Sequence, residues 1–83
     1  MDEQTLIGID IAKEKFDVAV RHQGNTTAGK FQNTKEGCLM FLLWLKDHDV
    51  TSAKVIVEST GSMHWLVCLM LVDATYDVRL INP

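Results

Sequence analysis

The sequence predicts an α/β fold whose elements follow the order βββαβαβ. Three observations support this prediction. Short segments near the N-terminus alternate apolar and polar residues between turn signals, two continuous apolar segments (38–45 and 65–72) suit helices, and a short apolar run follows each of them. Parallel strands need a crossover connection, which is usually a helix. The 83 residues therefore fit one five-stranded mixed sheet with two crossover helices.

The first three strands come from the N-terminal part of the chain. Residues 5–12 alternate, with three isoleucines on one face and Asp10 on the other. Residues 16–21 alternate in the same way after a short turn at 13–14, which predicts a hairpin. Residues 26–32, after the turn signal at 23–25, predict a third strand that Gly29 and Lys30 weaken.

Two helices and two further strands follow. Asn33 and Glu36 have the spacing of a capping box and predict a helix over residues 33–48. Residues 53–58 predict a fourth strand, which ends at Glu58. Residues 59–62 offer N-cap side chains for a second helix over 63–74, and residues 77–81 predict the fifth strand.

Two carboxylates interrupt apolar strands: Asp10 in LIGIDIA and Glu58 at the end of KVIVE. An unpaired charge in a buried strand would be costly. If strand one pairs with strand four, the two acids lie on neighbouring strands about 4.8 Å apart and could share a divalent ion. The alternative is structural: Asp10 ends its strand, and Glu58 stabilises the positive end of the second helix.

Composition limits the classes of function. At 47% hydrophobic and 23% charged residues, the sequence is typical of a soluble globular domain. A net charge of −3 without a basic cluster makes this piece a poor binder of nucleic acid on its own. Cys38 and Cys68 lack the spacing of zinc ligands and are expected to be reduced core thiols. The sequence shows no signal peptide and no membrane span, so we expect a cytoplasmic protein.

Several other residues have both a functional and a structural interpretation. Asp17 could support a metal site, but a solvated strand residue is the favoured interpretation. Residues 59–62 could contact a phosphate at a helix N-terminus, and capping explains them equally well. His64 is expected at the surface of the first helical turn, and Lys13 and Lys15 are expected to be solvated turn residues.

Three sequence blocks resemble the DEDD transposases of the IS110 family of bacterial insertion sequences, relatives of the pilin-gene invertases. These blocks are GIDIAKEKFDVAV, FQNTKEGCLMFLLWL and VIVESTGSMHWLVCLMLVDATYDVRLINP. They cover nearly the whole chain in the family's order and spacing. Met63 and Thr75 depart from the family pattern, which commonly has an aromatic residue and a glycine there.

The resemblance implies a ribonuclease-H-like fold, close to that of the Holliday-junction resolvase RuvC, and a role in cutting and rejoining DNA. In the family's DEDD set, Asp10 and Glu58 would be the first two acids and would hold Mg²⁺. The family's other two aspartates lie on a later helix, followed by a domain with a serine thought to be the nucleophile. Residues 1–83 are therefore expected to be the N-terminal part of one catalytic domain, inactive alone and a weak binder of Mg²⁺.

The partners implied are DNA, bound by the full-length protein, and a guide RNA as an open alternative. Two other functions stay open: a non-catalytic dimerising remnant of a transposase, and the related actin-like sugar-kinase fold. The turn after Asp10 lacks the glycine and threonine residues that hold ATP phosphates in such kinases. The two helices are apolar on nearly every side, which predicts a homodimer or higher oligomer formed through them.

Overall fold

The fold is known from a computed structural model, which describes residues 4–59 and 64–81. The strands are β1 (Leu6–Ile11), β2 (Lys15–His22), β3 (Asn25–Gln32), β4 (Lys54–Ser59) and β5 (Asp77–Ile81), and the helices are α1 (Lys35–Asp47) and α2 (Trp65–Asp73). The predicted order βββαβαβ is confirmed, and each boundary lies within two residues of its prediction.

The five strands form one mixed sheet in the order β3-β2-β1-β4-β5. β1, β2 and β3 are antiparallel neighbours, as two hairpins require. β4 lies parallel to both β1 and β5. The predicted pairing of strand one with strand four is therefore confirmed.

Both helices pack on the same face of the sheet. From β3 at one edge, the chain passes through α1 to β4 and through α2 to β5, moving toward the opposite edge each time. Two right-handed crossovers in one direction place both helices on one side. Alternate strand residues and both helices share the core, which contains Ile7, Ile9, Ile11, Phe16, Val18, Val20, Val55, Val57, Cys38, Phe41, Leu45, Val67 and Leu71. We call the sheet face turned away from the helices the open face.

An aromatic cluster fixes α1 over the β2–β3 edge of the sheet. The rings of Phe16, Phe31, Phe41 and Trp44 have neighbouring centroids 5.2–6.2 Å apart. A Cβ at Gly29 would meet the Trp44 ring at 3.2 Å. The glycine that weakens the third strand in the sequence is therefore the residue that makes room for this ring.

The start of α1 differs from the prediction by one residue. Thr34, rather than Asn33, is the N-cap, and its hydroxyl accepts a 3.0 Å hydrogen bond from the backbone N–H of Gly37. The Asn33 amide instead donates to the carbonyl of Ala12 at 3.1 Å. Asparagine is the better cap of the two by general preference, so its bond to the β1–β2 turn explains why Thr34 takes the position.

Both cysteines belong to helices that pack on the core. Cys38 is buried and Cys68 is half-buried. Burial raises the pKa of the Cys38 thiol to about 11 and also raises the pKa of Cys68. In residues 4–59 and 64–81, no helix combines the length and the apolar character needed to cross a membrane.

Candidate metal centre

The structure brings Asp10 and Glu58 together on the open face. Each is the last but one residue of its strand, and they are direct register partners across the parallel pair β1–β4. Adjacent strands lie about 4.8 Å apart, so the two side chains leave the sheet side by side. Alternation sends both carboxylates away from the helices, because their neighbours Ile9, Ile11 and Val57 face the core.

A third carboxylate lies in the same row. Asp17 on β2 is the register partner of Asp10 across the β1–β2 hairpin. On its far side Asp17 pairs with Lys30 of β3, whose ammonium nitrogen is 3.8 Å from a carboxylate oxygen. The row across the open face is therefore Lys30, Asp17, Asp10 and Glu58. The sequence interpretation of Asp17 as a solvated residue is correct, but alternation alone did not place it opposite Asp10.

The open face has a shallow groove at this row, with a volume of about 360 Å³. Two small residues, Gly8 and its register partner Ala19, form part of its floor. On the other side, Gly8 pairs with Ile56. A Cβ at Gly8 would meet no atom within 4 Å, so the space above it is free. The groove is lined by Gly8, Ile9, Asp10, Asp17, Val18, Ala19, Ile56 and Glu58.

The expected burial of the two acids is wrong for this chain. Asp10 and Glu58 are exposed, because the sheet is covered on one face only. Their charges are solvated and carry no large desolvation cost. Within residues 4–59 and 64–81, no group of three or more His, Cys, Asp or Glu side chains has the arrangement needed to hold a metal ion. Carboxylate oxygens are the ligands that hard cations prefer, and Asp10 and Glu58 present two carboxylates at one register position of β1 and β4.

The connection from β4 to α2 begins beside this pair. Ser59 follows Glu58 and is buried, and its hydroxyl has no hydrogen-bond partner among the residues that the structure describes. His64 is also buried, with 8% of its surface exposed, and its Nδ1 has no hydrogen-bond partner within residues 4–59 and 64–81. The prediction of a surface position for His64 is therefore wrong. Residues 60–62, which were considered for phosphate contact, and Met63 lie outside the described residues.

Solved structures that share this fold include RuvC and a protein with an actin-like ATPase fold. RuvC from T. thermophilus, in complex with a Holliday junction substrate, aligns with a TM-score of 0.66 and 14% identity, covering 98% of this chain and 66% of RuvC. A protein with an actin-like ATPase fold from Bacteroides thetaiotaomicron aligns with a TM-score of 0.69 and 15% identity, covering 98% of this chain and 34% of that one. The expected ribonuclease-H-like fold is confirmed. The fold alone does not distinguish RuvC-like proteins from actin-like ATPases.

Sequence comparison separates them. The Pilin gene-inverting protein of Moraxella lacunata is 28% identical over 82 residues, which are 96% of this chain and 26% of that protein. The chain thus spans about a quarter of the length of this curated relative. The family model of the IS110-type DEDD transposases, described as Transposase, matches residues 7–83. Because that match covers nearly the whole chain, the chain belongs to the family of IS110-type DEDD transposases.

Proposed function

We propose that this chain is the N-terminal part of the catalytic domain of a DNA transposase or site-specific recombinase. The observation that carries the proposal is the pairing of Asp10 with Glu58 at one register position of the parallel strands β1 and β4. The family match and the resemblance to a gene-inverting protein support the same class of reaction. Residues 1–83 would then be one portion of a single domain in a longer protein.

In this proposal Asp10 and Glu58 hold Mg²⁺ over the groove on the open face. Hard carboxylate oxygens on adjacent strands suit that ion. When bound, Mg²⁺ would activate the attacking oxygen and stabilise the leaving oxygen of a phosphodiester bond. Asp10 lies between Asp17 and Glu58 in the row, so it would be the central ligand. The Asp17 carboxylate forms an ion pair with Lys30. It would therefore support the site electrostatically rather than bind the ion.

Two carboxylates are half of a DEDD set, so this chain alone should bind Mg²⁺ weakly and leave DNA uncut. The chain's net charge of −3 also predicts weak binding of DNA by this part alone. The substrate of the full-length protein would be DNA, with a guide RNA as an optional second partner, and its place of action would be the cytoplasm. The exposed apolar face of the two helices would join this chain to a second copy in a homodimer or higher oligomer.

The test of the proposed function uses the full-length protein and a DNA cleavage assay in Mg²⁺. We expect Asp10→Asn to lower strand cleavage by at least about a hundredfold, because it removes a ligand while keeping the shape of the side chain. The control is Asp77→Asn, the same change at the other end of the sheet, where Asp77 is the register partner of Lys54 and forms an ion pair with Arg79. Unchanged cleavage by the Asp10 variant would refute the proposed role.

A further inference from the structure

Gly8 is a glycine that the fold of the described residues does not require. Glycine weakens the interior of a strand, and it is used there at a bulge, at a positive φ or where another group approaches the backbone closely. The pairing of β1 with β2 and with β4 continues through Gly8 without a bulge. Its φ is not positive, and a Cβ at this position would meet no atom within 4 Å. The remaining explanation is a close approach by a group from outside residues 4–59 and 64–81.

The free space above Gly8 belongs to the groove of the candidate metal centre. Gly8, Asp10 and Glu58 all line this groove. Gly8 precedes Asp10 by two residues, so it lies on the same face of β1, about 6.6 Å along the strand. A side chain at position 8 would therefore occupy the groove next to the ion that Asp10 and Glu58 are proposed to hold. The glycine keeps open the space that a group bound to that ion needs.

Two cationic residues lie on the other side of Gly8 from Asp10. Leu6 precedes Gly8 on the open face, and its register partners are Arg21 on β2 and Lys54 on β4. Within residues 4–59 and 64–81, Lys54 forms no ion pair. Leu6 and Asp10 are four residues apart, so about 13 Å of sheet separates the cations from the carboxylates. A ligand that reaches from the metal ion to these cations has negative charges repeated along its length, as a nucleic acid strand does.

We propose that one strand of DNA lies on the sheet over Gly8, with one phosphate at the Asp10–Glu58 pair and another bound by Lys54. Gly8 is then a positioning residue, because the missing Cβ lets the sugar–phosphate backbone lie directly against β1. Lys54 donates charge-assisted hydrogen bonds to the oxygens of its phosphate. Together they set the direction in which the strand passes the ion. This inference rests on the proposed function, which places the metal ion and the cleaved bond at Asp10 and Glu58.

The first test fills the space above Gly8. It uses the full-length protein with Asp10→Asn, which should bind DNA in Mg²⁺ without cutting it, and a labelled single-stranded oligodeoxynucleotide of mixed sequence. In this background, Gly8→Val should raise the Kd measured by fluorescence anisotropy at least about tenfold, and Gly8→Ala should raise it less. Gln32→Val is the matched control, because it adds the same side chain at the β3 edge, outside the groove, and should leave the Kd unchanged.

Thermal unfolding of the same variants distinguishes DNA from another part of the protein above Gly8. Gly8→Val replaces a glycine by a good strand former at a position with free space, so the melting temperature should stay equal or rise. A lower melting temperature of the full-length variant would show that a protein segment fills the space, which would overturn the inference. An unchanged Kd for Gly8→Val would overturn it as well.

The second test removes the charge of Lys54. A lysine that binds one phosphate of a single strand contributes about 0.7 to the slope of log Kd against log salt concentration. Lys54→Gln should reduce the slope by about this amount, a change that a merely structural role would not produce. Lys46→Gln, in the last turn of α1 on the helix layer, is the control and should leave the slope unchanged. An unchanged slope for Lys54→Gln would contradict the assigned contact.

Failure of this inference is distinguishable from failure of the proposed function. If Asp10→Asn still cuts DNA, the proposed function is wrong, and the cleavage assay shows this without any variant of Gly8. If Asp10→Asn abolishes cleavage while Gly8→Val and Lys54→Gln bind DNA as before, the proposed function stands. The path of the strand over Gly8 is then wrong.

Discussion

At the residue scale, the main feature of the chain is the row of like charges on the open face. Asp17, Asp10 and Glu58 are consecutive register partners on β2, β1 and β4, and among the described residues only Asp17 of these three forms an ion pair, with Lys30. Like charges directly opposite each other on a sheet are destabilising. Taken alone, this row of charges therefore destabilises the fold. Such local conflicts with stability are common at functional sites, including sites where carboxylates bind a cation.

This repulsion predicts that Asp10→Asn stabilises the chain. Removing the central charge relieves both neighbours, and we expect the free energy of unfolding to rise by about 0.5 kcal/mol in low salt without divalent ions. Thermal unfolding measured by circular dichroism checks this, with Asp77→Asn as the control; that variant removes a carboxylate bonded to Arg79 at 3.1 Å and should not stabilise the chain. The gain should shrink in high salt and also in Mg²⁺, which would neutralise the wild-type row. A loss of stability in the Asp10 variant would show that its carboxylate makes a favourable contact in the fold.

Alternation and strand pairing were enough to place Asp10 and Glu58 from the sequence. Each lies on the polar side of an alternating strand, and the helical crossover from β3 places β4 parallel to and beside β1. The position of Asp17 depends on the register of the β1–β2 hairpin, which composition does not determine. The burial of His64 depends on tertiary packing that the local sequence does not reveal, so the sequence prediction placed this polar residue at the surface.

At the element scale, both helices end with the same motif. After α1, Asp49 has a positive φ of 59°, and the N–H of Val50 bonds the Leu45 carbonyl at 2.9 Å. After α2, Thr75 has a positive φ of 71°, and the N–H of Tyr76 bonds the Leu71 carbonyl at 3.0 Å. These are Schellman endings, in which the left-handed position favours glycine. Thr75 departs from the family's glycine but keeps the geometry.

Replacing Thr75 by glycine should therefore stabilise the chain. A β-branched residue in the left-handed region is strained, and we expect a gain of about 1 kcal/mol in the free energy of unfolding. Part of it is offset by loss of the 2.6 Å hydrogen bond from the Thr75 hydroxyl to the Ala74 carbonyl. Asp49→Gly is the matched control and should gain less, because aspartate tolerates this region better. Chemical denaturation of both variants measures the difference, and an equal or larger gain at Asp49 would contradict the explanation.

Gly29 in β3 provides the opposite prediction. Its sequence context predicts a weak strand, yet β3 forms a full ladder with β2 from Asn25 to Gln32. Because a Cβ there would lie 3.2 Å from Trp44 and 3.1 Å from Phe31, Gly29→Val should overpack the aromatic cluster. We expect a loss of about 1–3 kcal/mol in the free energy of unfolding. Ala28→Val, one residue away on the open face, should be nearly neutral, and a similar loss there would point to the backbone instead.

At the scale of the whole molecule, the two faces of the sheet have different surfaces. The open face has the carboxylate row, and the helix layer on the other side presents large apolar side chains to solvent. Six of them are 45–62% exposed: Leu39, Met40, Leu43, Trp65, Leu69 and Val72. A groove of about 510 Å³ lies beside them, lined by Leu39, Leu42, Leu43, Lys46, Val50, Thr51, Ala74 and Tyr76. The apolar character of these helices is evident in the sequence. Because one sheet covers only one side of each helix, apolar side chains remain exposed on the other side.

This surface predicts that the chain self-associates through the helix layer. Contiguous exposed apolar patches of this kind mark interfaces, and association here leaves Asp10 and Glu58 free on the opposite face. In a light-scattering concentration series we expect the mean mass to rise above that of the 9.4 kDa monomer. The double variant Leu43→Glu with Leu69→Lys should return it to the monomer value, because it places charges in the patch. Leu6→Glu on the open face, where Leu6 is 42% exposed, should have no effect. The prediction is contradicted if the wild-type chain stays monomeric across the series. It is also contradicted if the double variant associates as the wild type does, because association would then not use the helix layer.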